Sequence, residues 1–364
     1  MTNQENTASD FKPVLEEQEL ALLRRLTSAL AVSGDEQEVR EIVREVVSPA
    51  ADQVETDALG NLLVTKRGKG ENLPRVMIAA HMDEVGFMLI RDEGDGIFQF
   101  EVVGGIDERQ LAGKSVIVGR QHIPGVIGTK AIHLTTPEER KRTLGSEQLR
   151  IDLGPAGSSL AKVGDRATFA TQMKVAGPSI LSKALDDRLG VFNLIQLVLH
   201  APENVDLLAA FTVQEEVGLR GAKVAAYHFD PQIGIALDST PAHDLPHFDG
   251  EENYRYNTHL DGGPAIYLMD GATIADRRLV RWLVESAQAE GIPWQYRQPN
   301  KGGTDAGSIH KIRAGVPSVS VSVPQRYLHS AAGLVRMDDC INTLRLVYGA
   351  LTRLDASILN RQEN

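Results

Sequence analysis

Potential metal-binding side chains follow several short apolar runs of this sequence. RVMIAA, AAFTV, IGIALD and VPSVSVSV are brief and rich in aliphatic residues, which predicts buried strands. Acidic and imidazole residues lie at or just past the ends of these runs: His81, Asp83, Glu215, Glu216, Asp238 and His329. Two more, Asp186 and Asp187, lie just before the predicted helix near Arg188. Because the carboxyl ends of parallel strands meet at one edge of a sheet, we expect these side chains to converge.

The chemistry of this set indicates a hydrolytic metal site. Two imidazoles and several carboxylates suit borderline divalent ions such as zinc, cobalt or manganese. They outnumber the ligands that one tetrahedral ion needs. The surplus favours two ions about 3.5 to 4 Å apart that share a carboxylate. In a hydrolysis, such a pair stabilises both the attacking oxygen and the oxygen on which negative charge develops.

The adjacent glutamates in FTVQEEVGLRGA, residues 211–222, require separate explanations. Neighbouring side chains of an extended chain point to opposite faces, so Glu215 and Glu216 cannot do the same job. One can bind an ion while the other accepts a proton from the attacking water. An isolated Glu-Glu pair is more often a solvated loop, and Asp83 alone is more often a cap. Asp187 alone would pair with Arg188 or Lys183 on the surface. The convergence of five chain segments favours the functional interpretation.

The elements that must position these residues form an α/β pattern with an interruption. VLEEQELALLRRLTSAL predicts a first helix, and Ser33 with Glu36 indicates a capping box for a second. From Val85 to Ala176 short glycine-punctuated β-like pieces replace helical periodicity, and then strand and helix patterns alternate. We expect a layered α/β sheet, residues 1–84 and 177–364, interrupted by an all-β module at 85–176.

Composition excludes several classes of protein. The 364 residues carry a formal charge of −11 without a long basic run, which argues against nucleic-acid binding. No run approaches the roughly 18 to 20 apolar residues of a membrane-spanning helix. A single cysteine, Cys340, and a polar N-terminus without a secretory signal pattern predict a cytoplasmic protein.

Six ordered motifs resemble a known family. AAHMDEVGFML, KALDDRLG, FTVQEEVGLRGA, ALD at 236–238, GGTDAGSIH and VPQRYLHS together resemble the tetrahedral aminopeptidases, metallopeptidase family forty-two of clan MH. That family includes glutamyl aminopeptidases and proteins once labelled endoglucanases. The resemblance covers the chain from about residue 18 onward.

The resemblance implies a role for each candidate. His81, Asp186 and Asp238 would hold one divalent ion, and Asp186, Glu216 and His329 the other, with Asp186 as the bridge. Glu215 matches the family's general base, and Asp83 matches the carboxylate that orients His81. The family also implies a cis peptide between Asp186 and Asp187. The ions expected are zinc or cobalt, with manganese as a third option.

The resemblance also implies an architecture and partners. A zinc-peptidase-like α/β/α sandwich would carry an inserted PDZ-like β domain. Dimers would assemble into a tetrahedral dodecamer with active sites facing its interior, so the partners are other copies and peptide substrates, not membranes or nucleic acids. Glu215 would take a proton from metal-activated water and pass it to the leaving amine.

Substrate preference and three competing functions stay open at this point. Arg220, Lys301 and Arg326 lie in motifs near the site and are candidates for holding an acidic side chain. A two-metal carboxypeptidase or deacylase would share the metal chemistry, although the GLRGA and GGTDA contexts favour an aminopeptidase. An endoglucanase-type glycosidase using Glu215 and Glu216 would need its carboxyls about 5 to 9 Å apart. A non-catalytic, shell-forming relative is the third.

Overall fold

The computed structural model describes residues 11–245, 258–297, 299 and 301–360. Its helices are α1 (Glu17–Ser28), α2 (Gln37–Val47), α3 (Leu185–Leu199), α4 (Arg220–Phe229), α5 (Arg277–Glu290), α6 (Ala306–Ile309) and α7 (Met337–Thr352). The sequence pattern predicts a final helix over roughly 338–359, but α7 ends at Thr352 and a separate 3₁₀ turn follows at Ala356–Leu359. Among the residues in the described ranges, no helix is long and apolar enough to cross a membrane.

The strands belong to three sheets. They are β1 (Gln53–Thr56), β2 (Leu62–Lys66), β3 (Arg75–His81), β4 (Gly86–Asp92), β5 (Ile97–Val103), β6 (Ser115–Val118), β7 (Ile123–Gly128), β8 (Arg150–Asp152), β9 (Arg166–Phe169), β10 (Lys174–Ala176), β11 (Ser179–Ser182), β12 (Asp206–Thr212), β13 (Ile233–Pro241), β14 (Ala265–Tyr267), β15 (Gln295–Arg297), β16 (Ser318–Gln325) and β17 (Gly333–Arg336). Three of them, β10, β11 and β17, form a small antiparallel sheet.

The largest sheet has eight strands in the order β1-β2-β12-β3-β13-β16-β14-β15. Its four middle strands, β12, β3, β13 and β16, run parallel. Thr212 at the end of β12 pairs with His81 at the end of β3, and Asp238 of β13 pairs with Ser322 of β16. The carboxyl ends of these strands therefore lie side by side along one edge.

Alternation of side chains along the strands builds a core on each face of this sheet. Val76, Ile78 and Ala80 of β3 join the core that holds residues of α1, α2, α3, α5 and α7. Met77 and Ala79 point to the opposite face, where they join residues of α4 and α6. Helices cover both faces, so the predicted mixed α/β fold is confirmed.

Six further strands close into a barrel in the order β4-β5-β8-β7-β6-β9. The barrel has its own apolar core, in which Phe87 packs edge-to-face on Phe100 and Phe169 with ring centroids 5.1 and 5.4 Å apart. All six strands lie between residues 86 and 169. Closure leaves no unpaired strand edge within the barrel.

A buried ion cluster lies where the barrel meets the main sheet. Glu84, just before β4, accepts hydrogen bonds from Lys183 Nζ at 2.8 Å, Arg188 Nη2 at 3.1 Å and Thr168 Oγ1 at 2.6 Å. Burial alone would raise the pKa of Glu84, but Lys183 and Arg188 outweigh it and hold that pKa below its usual value. Thr168 belongs to β9 and Arg188 to α3, so this one carboxylate connects the barrel to the main domain.

The same cluster corrects the surface interpretation of Asp187. Lys183 and Arg188 are committed to Glu84, and Asp187 is fully buried. Its Oδ1 accepts the backbone N–H of Gly190 at 3.0 Å. A Cβ on Gly190 would lie 2.3 Å from Asp187 Oδ2, so only glycine leaves room for the buried carboxyl group.

The capping box predicted at Ser33 is wrong. Helix α2 begins at Gln37 with Glu36 as its N-cap residue, and no side chain caps it. Ser33 Oγ instead donates to Asp83 Oδ2 at 2.6 Å. A serine three residues before a glutamate matches the local capping pattern, but here a long-range carboxylate is the stronger hydrogen-bond partner.

Candidate metal centre

Five chain segments deliver the candidate ligands to one edge of the main sheet. His81 is the last residue of β3, Asp238 lies near the end of β13, and Glu216 follows β12. His329 follows β16 in the left-handed backbone region, with φ 54°. Asp186 lies at the start of α3, next to the cis peptide bond between residues 186 and 187 that the resemblance implies.

The ligand atoms form two clusters with one shared member. His81, Asp186 and Asp238 make up cluster A, and Asp186, Glu216 and His329 make up cluster B. Within each cluster the potential ligand atoms lie within 4.8 Å of one another. His81 Nε2 is 3.2 Å from Asp186 Oδ1, and His329 Nε2 is 3.2 Å from Asp186 Oδ2, so the two oxygens of one carboxylate face different clusters.

Several of these buried atoms have no hydrogen-bond partner. His81 Nε2, Asp186 Oδ1 and Glu216 Oε1 are shielded from solvent and unsatisfied. Burying a polar atom without a partner costs free energy, so such atoms are rare in proteins unless a ligand or ion completes them. The unsatisfied atoms fit a bound cation, and the mixed nitrogen and oxygen donors fit a borderline divalent one.

Hydrogen bonds at Nδ1 set the orientation of both imidazoles. His81 Nδ1 lies 3.0 Å from the Asp83 carbonyl oxygen and 3.6 Å from Asp83 Oδ1. His329 Nδ1 lies 2.8 Å from the carbonyl oxygen of Gly105. Because each neighbouring oxygen can only accept, Nδ1 carries a proton, and Nε2 is the nitrogen that faces the clusters and could bind an ion there.

The barrel contributes directly to this arrangement. Gly105 and Gly104 follow β5, and Gly104 has φ +87°. A Cβ at Gly104 would lie 2.7 Å from Val85 Cγ1 and 3.4 Å from the Cβ of Glu216. Glycine therefore lets the barrel loop approach closely enough to orient His329 through Gly105.

Asp83 fixes the glutamate pair as well as His81. Its Oδ1 accepts the backbone N–H of Glu215 at 3.0 Å, and its Oδ2 accepts that of Glu216 at 3.2 Å. Burial would raise the pKa of Asp83, but hydrogen bonds from His81 and Ser33 outweigh it and hold that pKa below its usual value. An ionised Asp83 thus connects the tip of β3 to the loop after β12.

Glu215 lies beside cluster A without belonging to it. Its Oε2 is 4.0 Å from His81 Nε2, whereas Glu216 Oε2 is 3.3 Å from His329 Nε2 in cluster B. Burial raises the pKa of Glu215 well above its usual value, and the nearby carboxylates of Glu216 and Asp305 raise it further. The adjacent glutamates therefore face different groups, as their position after a strand predicts.

Asp305 is a carboxyl group that our sequence reasoning missed. It is buried, its Oδ2 accepts from Thr212 Oγ1 at 2.5 Å, and its Oδ1 has no partner. Burial raises its pKa to about 6, with a further contribution from Asp83. The GGTDAGSIH motif contained the signal, but Asp305 precedes a short helix and so escaped a search of strand ends.

The electrostatics of the clusters favour a cation. Burial raises the pKa of Asp238 well above its usual value, and Asp186 and Glu215 raise it further. Burial would lower the pKa of His329, but hydrogen bonds to Asp186 and Glu216 raise it to about 11. The carboxylates thus stabilise a proton on the His329 imidazole. A divalent ion would displace that proton and supply positive charge to the same carboxylates.

The three predicted substrate-binding cations have different surroundings. Arg326 Nε and Nη2 donate to the two carboxylate oxygens of Asp244 at 2.6 and 2.9 Å, so its charge is already compensated. Arg220 Nη1 donates to Gln214 Oε1 at 3.2 Å. Lys301 is exposed. None of the three is both buried and free to bind a carboxylate.

The remaining described histidines lie outside both clusters. His122 contacts Glu38, and His228 contacts Glu55, at the surface. His243 is half-buried, and burial together with Arg297 lowers its pKa. His247, which lies close to it in sequence, is outside the described residues.

Comparison with known proteins assigns the chain to a family. The family model "M42 glutamyl aminopeptidase" matches residues 60–346. A putative aminopeptidase of Acetivibrio thermocellus is 35% identical over 342 residues, covering 92% of this chain and 99% of that protein.

Solved structures agree with this assignment. A TET aminopeptidase from a marine sediment archaeon, Thaumarchaeota archaeon SCGC AB-539-E09, matches with a TM-score of 0.88 and 33% identity, covering 94% of this chain and 98% of that one. The Pyrococcus horikoshii TET1 peptidase, which can assemble into a tetrahedron or a large octahedral shell, matches with a TM-score of 0.81 and 32% identity over 92% of this chain and all of that one. The chain therefore belongs to the M42 glutamyl aminopeptidase family and is a peptide-bond hydrolase.

Proposed function

We propose that the protein is a dinuclear metal-dependent aminopeptidase that removes N-terminal residues from peptides. His81, Asp186 and Asp238 would hold one divalent ion, and Asp186, Glu216 and His329 the second. The observation that carries this proposal is the pair of clusters that share Asp186, one carboxylate oxygen to each. A shared carboxylate is the usual bridge of two-metal hydrolases.

Zinc or cobalt is the proposed metal, with manganese as a third option. Each cluster offers one imidazole nitrogen and carboxylate oxygens, a set that suits borderline ions. Three protein ligands at each ion leave positions for water and substrate, which is the pattern of catalytic rather than structural sites. When bound, the ions would polarise the scissile carbonyl and make water a stronger acid.

Glu215 is the proposed general base. Its carboxylate would take a proton from the attacking water and then give it to the amine nitrogen that leaves, so one group serves both steps. Its position outside both clusters supports this role, because a ligand oxygen could not accept the proton as readily. Asp83 would be a positioning residue that holds His81 and the backbone of the glutamate pair.

The acidic surroundings favour a substrate with a free α-amine. The site gathers Asp186, Glu216, Asp238 and Asp305 around two imidazoles. An α-ammonium group would be attracted to these carboxylates, whereas the terminal carboxylate of a carboxypeptidase substrate would be repelled. This difference supports cleavage at the N-terminus.

The domain division and assembly are part of the proposal. Residues 1–84 and 177–364 would form a zinc-peptidase-like catalytic domain, and 85–176 an inserted PDZ-like domain. The closed barrel at 86–169 supports an insertion, although pairing of β10 with β11 suggests that its end lies before Lys174. We further propose that dimers of this chain assemble into a tetrahedral dodecamer in the cytoplasm. The Pyrococcus horikoshii relative, which can assemble into a tetrahedron, supports this proposal. Native mass spectrometry would give the subunit number.

The central test compares substrates and metal content. Purified protein loaded in turn with zinc, cobalt and manganese should hydrolyse aminoacyl anilides but not N-acylated amino acids or cellulose oligosaccharides, and chelation should abolish the activity. Asp186→Asn should lose both ions by elemental analysis, while the exposed control Glu17→Gln should keep them. Chelator-resistant hydrolysis, or two ions retained by Asp186→Asn, would refute the proposal.

A further inference from the structure

The loop that carries both glutamates has a backbone conformation that its own sequence does not favour. We call residues 213–221 the glutamate loop. Gln214 and Leu219 lie in the left-handed backbone region, with φ 55° and 56°. That region is costly for residues with a Cβ atom, so contacts from the rest of the fold are needed to hold them there. Four consecutive backbone N–H groups, those of residues 213–216, donate to side chains from other segments of the chain.

Asn61 joins the two ends of the glutamate loop. Its Oδ1 accepts the backbone N–H of Val213 at 3.0 Å, and its Nδ2 donates to the Gly221 carbonyl oxygen at 3.0 Å. Asn61 is fully buried, and its Nδ2 also donates to Asp57 Oδ2 at 2.6 Å. These three partners fix the orientation of the amide. A Cβ at Gly221 would lie 2.3 Å from Asn61 Oδ1, so glycine lets the loop close on the amide.

Strand pairing explains how Asn61 reaches the loop. Asn61 lies in the turn between β1 and β2, and β2 pairs antiparallel with β12, with Leu62 opposite Phe211. The residue just before β2 therefore lies beside the end of β12, where the glutamate loop begins. Asp57 Oδ1 accepts three backbone N–H groups of the same turn at 2.9 to 3.0 Å. These bonds hold the turn, and with it Asn61, in place.

Glu36 holds the next residue of the loop. Its Oε1 accepts the backbone N–H of Gln214 at 3.3 Å and that of Gly34 at 2.5 Å. Glu36 is 4% exposed and lies directly before helix α2. Asp83 then accepts from the two residues that follow. Glu215 thus takes its position from the turn before β2 and the start of α2, as well as from Asp83.

We propose that Asn61 and Glu36 are positioning residues that set the carboxylate of Glu215 against cluster A. The inference rests on the proposed role of Glu215 as general base. Among the described residues, neither side chain hydrogen-bonds to a candidate metal ligand, so both act through the backbone of the glutamate loop. A base must lie within hydrogen-bond distance of the proton it takes, and a displacement of about 1 Å can cost on the order of a hundredfold in rate.

The first test compares two asparagines that bind backbone groups. Asn61→Ala should lower kcat by about 10- to 100-fold, with KM unchanged and two ions retained, because Asp83 still holds the glutamate pair. Asn204→Ala is the matched control, since Asn204 Nδ2 donates to the carbonyl oxygens of Leu351 and Leu354 near the opposite end of β12. It should lower the unfolding temperature and leave kcat unchanged. Wild-type kcat in a folded, metal-loaded Asn61→Ala would overturn the inference.

The second test asks whether Asn61 acts through Glu215. Glu215→Gln already lacks the base, so adding Asn61→Ala should lower the remaining kcat by less than about threefold, far less than in the wild-type background. Losses that multiply in the double variant would show that Asn61 acts on some other group, and the inference would fail. Wild-type kcat in Glu215→Gln alone would instead refute the proposed base.

Glu36 provides a second pair of variants, which also serves if Asn61→Ala does not fold. Glu36→Gln keeps an oxygen that can accept from Gln214 and should keep most of kcat. Glu36→Met removes the acceptor and should lower kcat by about 10- to 100-fold with both ions in place. Equal kcat values for the two variants would contradict positioning through this hydrogen bond.

Discussion

Substitution of Glu215 by glutamine separates base catalysis from metal binding at one position. Glutamine has the same size, and the backbone hydrogen bonds of the residue do not depend on its side chain. Its N–H donates to Asp83 Oδ1 at 3.0 Å, and its carbonyl oxygen accepts from the N–H groups of Gly218 and Leu219 at 2.9 Å each. The nearest imidazole nitrogen is 4.0 Å away, beyond hydrogen-bond distance. The change therefore removes a proton acceptor and leaves the clusters in place.

The expected loss follows from the role of a general base. Such a base contributes roughly 10²- to 10⁴-fold to the rate. At about 1.36 kcal/mol for each tenfold change, Glu215→Gln should raise the activation free energy by about 2.7 to 5.4 kcal/mol. We expect this loss in kcat with little change in KM, and two ions per subunit by elemental analysis. Glu216→Gln is the matched control, because the same chemical change in cluster B should lose an ion.

Stability of the metal-free protein provides an independent readout. The pKa of Glu215 is raised by burial and then by its acidic neighbours, so its ionised form destabilises the fold above the pKa of the unfolded chain. Metal-free Glu215→Gln should therefore unfold at a higher temperature than the metal-free wild type at pH 8, and the difference should vanish near pH 4. Loss of metal in Glu215→Gln, or more than a tenth of wild-type kcat, would refute the assignment.

Three further predictions concern the surroundings of the site. Asp305→Asn removes a charge that raises the pKa of Glu215, so the acid limb of the profile of kcat/KM against pH should move to lower pH. An unchanged acid limb would show that the charge of Asp305 does not affect the titration of Glu215. Glu84→Gln leaves two buried cations without their shared carboxylate and should lower the free energy of unfolding by about 3 to 5 kcal/mol in urea titrations. A loss below about 1 kcal/mol would mean that water reaches the cluster. Chelation should lower the unfolding temperature more at pH 8 than at pH 5, because carboxylates with raised pKa values protonate as the pH falls and then repel one another less. The opposite pH dependence would contradict crowding of ionised carboxylates as the cause.

The barrel loop gives the β module a role in the site as well as in packing. The Gly105 carbonyl oxygen orients His329, and Glu84 connects the barrel strand β9 to the helix that carries Asp186. A displacement of the barrel would thus disturb both His329 and Asp186, two members of cluster B.

The sequence by itself determined the residue types and their approximate place. Short apolar runs predict strands, and a polar residue directly after a parallel strand lies at its carboxyl end, so His81, Asp238 and the glutamate pair could be assigned to one edge without coordinates. The helical pattern of RRLVRWLVESAQAE likewise predicts a helix, and α5 spans that segment, Arg277–Glu290. These features are local, because a repeat of 2 or 3.6 residues fixes which face a side chain occupies.

Contacts between distant segments were decided only by the tertiary structure. Ser33 matched a local capping pattern, yet its partner is Asp83, 50 residues away. Arg326 is a substrate-binding candidate by sequence, but Asp244, 82 residues away in the chain, neutralises its charge. Side-chain type and spacing report what a residue can bind. The packing of remote strands and loops decides which partner a residue actually binds, because a buried polar group pairs with whatever group the fold places within hydrogen-bond distance.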